Sequence, residues 1–401
     1  MNADAGLVSI GGYLPGKKIS SGMKNSLVSF LKTDTLLPPE YIEMIDATGR
    51  LPGSVETNQD GWEKQPWFDH WVRSLPPKKR DDPFQGTAER RRVPTDPTAL
   101  RESVVPHPMM PSDAETIAAA MALINSGIDK NRIDLVLSFS QVPDFPLPSN
   151  ASLIQHKLNL SDTGAYAVDS CCSSFLTMTE LACGLVKSGV REAVLIVCSY
   201  IDSHVVDRSA YYGVYTGDAA VGALVTRTPG GPGYIASAST SYGSRHDGII
   251  FERRRPKLFK KTNWGPDCTQ EFTTFYNLAA CREIASNTDR DMVEVVDKSL
   301  LKAGITIDGV DFLVTHQPVP WAAAAWRKAL GIPAGKAYES FKKYGNIATC
   351  SAPVNLLEAI EKNLVAADDM VLMASSGAGE NYIAVLQRLP ADLIRNIHAY
   401  L

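Results

Sequence analysis

Ala165-Tyr166-Ala167-Val168-Asp169-Ser170-Cys171-Cys172-Ser173-Ser174-Phe175 is the segment from which the rest of the chain can be ordered. An apolar, β-leaning run ends at Asp169, and a helical pattern with Leu176, Leu181 and Leu185 begins at once and stops near Gly189. A thiol at such a strand-to-helix turn meets unpaired N–H groups and the positive end of the helix dipole, which favour thiolate. This predicts a lowered pKa for Cys172 and no such alignment for Cys171. Taken alone, Cys172 reads more simply as a small buried residue beside a turn.

Two later segments reverse that balance. Val310-Asp311-Phe312-Leu313-Val314-Thr315 is a short apolar strand that delivers His316 at its end. Gly345-Asn346-Ile347-Ala348 is a turn that places Asn346 just before another helical stretch. Singly, His316 reads as a structural histidine and Asn346 as a turn residue. Together with Cys172 they form an acyl-transfer constellation.

The chain also repeats itself. Ile124-Asn125-Ser126-Gly127-Ile128, followed by Ile133 to Ser138, recurs 177 residues on as Leu301 to Ile305 and Val310 to Thr315, with Gly127 becoming Gly304 and Asp134 becoming Asp311. The same step carries Ala193-Val194-Leu195-Ile196 onto Met370-Val371-Leu372-Met373, and Cys172 onto Thr349. A constant offset across separated blocks predicts two related α/β halves. Short apolar runs such as Ile133 to Ser138 are typical of strands covered on both faces. Ser112 and Glu115 are spaced as a capping box, and the helix they open carries Ile117, Met121 and Ile124 on one face and ends near Gly127. A further helix is predicted over 289–303, stopping at Gly304. The Pro- and Gly-rich stretch from Thr226 to Gly233 is the predicted junction, giving an N-terminal half over 1–228 and a C-terminal half over 229–401.

Composition excludes several classes. Apolar content of 44% and charged content of 21% are ordinary for a globular chain, and 401 residues suffice for a large duplicated core. A net charge of −4 gives no reason to invoke nucleic acid. No apolar run approaches the roughly 20 residues needed to span a membrane. The seven cysteines show neither metal spacing nor a disulfide framework, and the start lacks a secretory pattern, so a cytoplasmic setting with reduced thiols is predicted. No metal is expected.

On these motifs the chain resembles the β-ketoacyl-acyl-carrier-protein synthase III family of the thiolase superfamily. That family sets its nucleophile in Ala-Cys-Ser/Ala-Gly-Phe, its His in His-Gln-Ala-Asn and its Asn in Gly-Asn-Thr-Ser. The counterparts here are Cys171-Cys172-Ser173-Ser174-Phe175, His316-Gln317-Pro318-Val319 and Gly345-Asn346-Ile347-Ala348. Thr216-Gly217-Asp218-Ala219-Ala220, Ser376-Gly377-Ala378-Gly379 and the opening Ile10-Gly11-Gly12-Tyr13-Leu14-Pro15 match further segments.

The resemblance implies a five-layer αβαβα sandwich of two duplicated halves. It implies Claisen condensation: Cys172 is acylated by a thioester, and an enolate from a second thioester then attacks the acyl group. Two oxyanions need stabilising. Backbone N–H groups of Cys172 and Gly379 would hold the first, and neutral donors on His316 and Asn346 the second, each typically worth about 3–4 kcal/mol of barrier. An Asn can donate but cannot act as a base, which favours condensation over simple acyl transfer. The alternative is a Cys-dependent acyltransferase that moves an acyl group to an alcohol or amine; a catalytically silent partner subunit is a third reading.

No permanently bound cofactor is implied. Coenzyme A or phosphopantetheine thioesters would be substrates, an acyl-carrier protein a partner, and a homodimer the assembly. The family's bulky residue that reaches into the partner's acyl tunnel falls at Leu147. Departures from the pattern point to specialised fatty-acid or polyketide-type biosynthesis. Val319 replaces the Asn used near the pantetheine, and residues 33–92 are longer and more irregular than the family pattern. That region carries Trp62, Trp67, Trp71, the basic run 76–80 and Arg90-Arg91-Arg92. These residues, like the later basic stretch from Arg253 to Lys261, read either as a solvated surface or as a docking platform for phosphates.

Overall fold

The computed structural model describes residues 4–57, 69, 72–73, 89–94, 109–203, 213, 215–228, 233–253 and 272–401. In the first half the order is β1 (Ala5–Tyr13), α1 (Ser21–Asp34), α2 (Pro39–Thr48), β2 (Ser54–Thr57), β3 (Glu89–Arg92), α3 (Pro111–Ser126) and β4 (Leu135–Ser140). It continues with α4 (Asn150–Lys157), β5 (Gly164–Ala167), α5 (Ser174–Ser188), β6 (Ala193–Tyr200) and β7 (Ala219–Arg227). The second half has β8 (Tyr234–Ser241), β9 (Ile249–Arg253), β10 (Phe272–Tyr276), α6 (Leu278–Ala303), β11 (Phe312–Thr315), α7 (Ala322–Ala329) and β12 (Ala337–Tyr338). It closes with α8 (Phe341–Tyr344), α9 (Ser351–Glu361), β13 (Met370–Gly377), β14 (Asn381–Arg388) and α10 (Ala391–His398).

Two five-stranded sheets carry the molecule, ordered β1-β7-β6-β4-β5 and β8-β14-β13-β11-β12. They are the same sheet twice. β4 lies parallel to β5 and β6 as β11 lies parallel to β12 and β13, and the remaining strands pair antiparallel in both. β6 and β13 begin at Ala193 and Met370, the 177-residue step read from the sequence. Apolar side chains of α5 and α9 fill the space between the sheets, with Phe175, Leu176, Val354 and Leu356 buried there. The outer faces are covered by α3 and α4 on one side and by α6 and α7 on the other. The result is the five-layer αβαβα sandwich of two duplicated halves. Parallel strands need both faces covered, which is why β4 and β11 are almost continuously buried.

Helices end at Gly127, Gly189 and Gly304 as read. Two starts differ. α3 begins at Pro111, with Asp113 rather than Glu115 reaching back to the Met110 N–H at 3.0 Å. Proline at the first helical position has the right φ and no N–H to lose, so it sets the start ahead of Ser112. α6 begins at Leu278, not near 289, because Asn277 caps it by accepting from the N–H groups of Ala279 and Ala280.

The reading of Arg90–Arg92 as a solvated or phosphate-docking face is corrected. All three side chains are buried in β3, where they hydrogen-bond to carbonyls of both halves and to Asp202. Trp62, Trp67, Trp71 and the basic runs 76–80 and 254–261 lie outside the described residues. Among the described residues no helix is long and apolar enough to cross a membrane, and no group of three His, Cys, Asp or Glu side chains is placed to hold a metal ion.

Candidate active site

The turn after β5 is built to hold an awkward backbone. Cys171 has φ 54°, in the left-handed region that costs a non-glycine residue on the order of 1 kcal/mol. Local bonds offset this: the Ser170 N–H donates to Ser174 Oγ at 2.9 Å and the Cys171 N–H to Asp169 Oδ1 at 2.8 Å. β13 then closes over the turn. A Cβ on Gly377 would lie 2.4 Å from the Ser170 carbonyl oxygen, so only glycine allows the strand so near. Ser375 Oγ donates to the Cys172 carbonyl at 3.0 Å.

The two thiols form a pair. Their sulfurs are 3.9 Å apart, and Cys171 Sγ also lies 3.6 Å from Gln141 Oε1. The expected order of acidity is reversed. A hydrogen bond from Cys172, with others at Gln141 and at the backbone of Cys172 and Ala378, holds the Cys171 thiol below its usual range. Cys172 is pushed up by that same partnership and by burial. The physical reason is local geometry. A tight 3-10 turn over Cys171–Ser173 precedes α5, so the helix proper starts only at Ser174 and the adjacent thiol is the nearer influence on Cys172. Of the pair, Cys171 loses its proton first. The backbone donor turned towards the sulfurs from the C-terminal turn is that of Ala378; Gly379, with φ 111°, stands exposed one residue beyond.

His316 follows β11, and its N–H donates to the Ala374 carbonyl at 2.9 Å, one residue before Ser375. The ring is 2% exposed and its Nδ1 lies 3.3 Å from Ser351 Oγ. Burial pushes its pKa down to about 3, with a backbone hydrogen bond at Ala348 opposing, so the imidazole is neutral across the ordinary pH range.

Asn346 is fixed by its own backbone and side chain. Its N–H donates to the Tyr215 carbonyl at 2.7 Å, its carbonyl accepts from the Gly217 N–H at 3.2 Å, and Oδ1 accepts from the Ala348 N–H at 2.8 Å. Among the described residues its Nδ2 makes no hydrogen bond, which leaves an amide donor available. Gly345 makes this possible: a Cβ there would lie 2.4 Å from the Tyr215 carbonyl oxygen. Ala348, the repeat counterpart of Cys171, shares its left-handed backbone with φ 44°. Thr349, the counterpart of Cys172, accepts the Phe175 N–H at 2.8 Å. The two repeat-related turns therefore touch, and β13 links His316 to the thiols. Cys172, His316 and Asn346 are brought into one region. Leu147 is not among them in the single chain; it lies on the loop after β4, 86% exposed.

Sequence reasoning missed Gln141, Ala378 and Glu380. Glu380 is buried with Oε1 unpaired, is pushed up to about 7 by burial, and is one of the charges that raise Cys172. Gln141 and Glu380 carry no local signal, since each acquires its place only when β4 and β14 meet the β5–α5 turn, while Ala378 lies in the Gly-rich turn whose predicted donor is Gly379.

The comparisons agree with this architecture. The family described as 3-oxoacyl-[acyl-carrier-protein] synthase III matches residues 166–243, and its C-terminal counterpart matches residues 300–389. The β-ketoacyl-[acyl-carrier-protein] synthase III of Oleidesulfovibrio alaskensis is 32% identical over 283 residues, covering 69% of this chain and 84% of that protein. The synthase III of Geobacillus kaustophilus is 26% identical over 341 residues, covering 84% and 96%. In fold, the synthase III of Aquifex aeolicus superposes with a TM-score of 0.70 at 23% identity, covering 96% of this chain and 99% of that one. OleA of Xanthomonas campestris superposes with a TM-score of 0.65 at 17% identity, covering 97% and 99%. The fold and the paired turns define a thiolase-type condensing enzyme, a transferase. Within that class, the chain belongs to the β-ketoacyl-[acyl-carrier-protein] synthase III family.

Proposed function

We propose that the protein joins two acyl thioesters by Claisen condensation through an acyl-Cys172 intermediate, with acyl-coenzyme A or acyl-carrier protein as substrates. The observation that carries this reading is the charge state of the groups converging on the thiol turn. His316 is held neutral by burial, and Asn346 offers an unengaged amide. Both can donate a hydrogen bond, His316 through Nε2–H when Ser351 Oγ–H donates to Nδ1, and a pKa of about 3 makes the neutral ring a poor base.

In the first half-reaction Cys172 sulfur attacks the donor thioester carbonyl as its proton passes to Cys171, which must stand as the thiolate to accept it. The N–H groups of Cys172 and Ala378 stabilise the tetrahedral oxyanion, with Gly379 giving the turn its shape. The C–S bond to the donor breaks, and the departing thiolate takes up the proton. In the second, a malonyl-type thioester loses CO₂. The electron pair moves onto the enolate oxygen, where His316 and Asn346 donate. The enolate carbon attacks the acyl-Cys172 carbonyl, a C–C bond forms, and the Cys172–acyl bond breaks to release the thiolate, which takes a proton from solvent to restore the starting thiol. Val319 in place of the family Asn, and Leu147 in place of a bulkier tunnel residue, support a specialised acyl substrate.

Asn346→Asp tests the assignment. It leaves Cys172 and the backbone donors in place but puts a carboxylate where the enolate forms. Self-acylation, read by intact mass, should stay within a few-fold, while condensation should fall by about 10²–10³, the usual cost of one lost oxyanion donor. Equal loss of both steps would make Asn346 structural. Unchanged condensation with ester formation from added alcohols would instead establish the acyltransferase reading.

A further inference from the structure

Strand β3 carries three consecutive arginines into the interior, and Arg90 and Arg91 reach the chain just before Asn346. Arg90 is fully buried. Its NH1 donates to the Phe341 carbonyl at 3.1 Å and lies 3.4 Å from the Lys342 carbonyl, and its guanidinium stacks 5.1 Å from the Phe341 ring centroid. The Phe341 carbonyl also accepts the Gly345 N–H at 2.8 Å, so the arginine grips the bond that ends α8 just before Asn346. A Cβ on Gly345 would lie 2.5 Å from Arg90 Nε, which shows how closely the guanidinium abuts that backbone.

The other side of Asn346 is held by the same strand. The Arg91 carbonyl accepts the Asp218 N–H at 2.9 Å, and the Val93 N–H donates to Asp218 Oδ2 at 2.7 Å. Asp218 ends the segment whose Tyr215 carbonyl and Gly217 N–H bond the Asn346 backbone. Arg92 anchors the strand in the first half through Asp202 at 3.1 Å and the Gly213 carbonyl at 3.2 Å, while Arg91 NH1 donates to the Pro15 carbonyl at 2.8 Å. β3 thus fixes both flanks of one residue from outside its own half.

We propose that Arg90 is a positioning residue for the condensation step, setting the Asn346 amide by clamping the Phe341–Gly345 turn. The inference rests on the role of Asn346 given above. A side chain carried on β3, which pairs antiparallel with β2, thereby acts on the geometry of the second half-reaction and leaves the first alone. Acylation of Cys172 needs the β5–α5 turn and the Ala378 N–H, whereas the Arg90 contacts given above go to α8 and the Gly345 backbone.

The test compares Arg90→Met, which keeps length but loses the donors, with Arg90→Lys, which keeps a cation and N–H donors on a single nitrogen but loses the planar fork. Single-turnover acylation is read by intact mass, and condensation by steady-state kinetics with the second thioester varied. Acylation should stay within about twofold, while the condensation kcat falls about tenfold to a hundredfold in Arg90→Met with little change in KM, the scale expected for a catalytic group displaced by about 1 Å. Arg90→Lys should recover part of the loss. Asn346→Ala is run alongside. If it spares condensation, the underlying assignment fails. If it loses condensation while both arginine variants keep it, the clamp alone is overturned. Parallel loss of acylation and condensation in Arg90→Lys would reduce β3 to a structural brace, and that variant decides the matter if Arg90→Met does not fold.

Discussion

Cys171 and Cys172 differ by one position and by opposite perturbations. The Cys171 sulfur meets the Cys172 thiol and the backbone at Cys172 and Ala378, and the half-buried Cys172 is left beside a better anion. A small alkylating reagent follows thiolate, so iodoacetamide should label Cys171 first as pH rises, with Cys172 reacting only at higher pH. In Cys171→Ala the largest cause of the raised Cys172 pKa disappears, and its labelling should move to lower pH. Peptide mapping across pH 6 to 10 reads both. Labelling of Cys172 ahead of Cys171 would contradict the pairing. Acyl transfer obeys geometry as well as acidity, so Cys172→Ala should abolish stable acylation even though Cys171 remains.

Among the elements, α3 shows how a helix can be legible and its chemistry hidden. Glu115 is buried, and its oxygens accept from Ser140 Oγ at 2.5 Å, Ser199 Oγ at 2.6 Å and Asn150 Nδ2 at 2.9 Å. Burial pushes its pKa up to about 7, with those hydrogen bonds opposing. A raised folded-state pKa gives stability that is fully present below the unfolded value near 4.5 and is lost as pH rises towards 7. The full span is about 3 kcal/mol. His316 runs the other way, losing stability as pH falls from about 6.5 towards 3. The difference between Glu115→Gln and the parent protein isolates the first effect. The variant's melting temperature should depend less on pH between 5 and 7 and should equal or exceed the parent's at pH 7. An unchanged slope would mean that Glu115 is ionised in the fold.

The sequence spacing Ser112 to Glu115 looked like a cap because capping is a local pattern. Glu115 instead faces β4, β6 and α4, and no local pattern reports that. The same division holds elsewhere. The strand-Cys-helix turn, the glycine-ended helices and the 177-residue repeat were legible because buried parallel strands and helix ends write themselves into adjacent residues. The burial of Arg90–Arg92 and the order of the thiol acidities were not, since the first depends on contacts 76 to 252 residues away and the second on how the turn aims two adjacent sulfurs at each other and at Gln141 and Ala378.

At the scale of the whole molecule, the first sheet is unfinished. β5 is its edge strand, and Tyr166 on it is 52% exposed. The loop after the neighbouring β4 presents Phe145 and Leu147, 47% and 86% exposed. An open edge beside exposed apolar side chains is suited to pairing, and a surface that pairs with its own copy closes as a twofold dimer. We propose that two chains join here and that Leu147 of each enters the partner's acyl tunnel. Light scattering should give twice the 43.5 kDa chain mass. Tyr166→Glu sets a like charge on each copy of the edge and should shift the species towards monomer, with loss of condensation that recovers as concentration rises. Leu147→Trp should leave the dimer intact and shorten the accepted acyl chain, because the larger side chain moves the tunnel wall inward. A monomeric parent protein would refute the assembly. A dimer whose chain-length preference is unmoved by Leu147→Trp would keep the assembly and remove Leu147 from the substrate site.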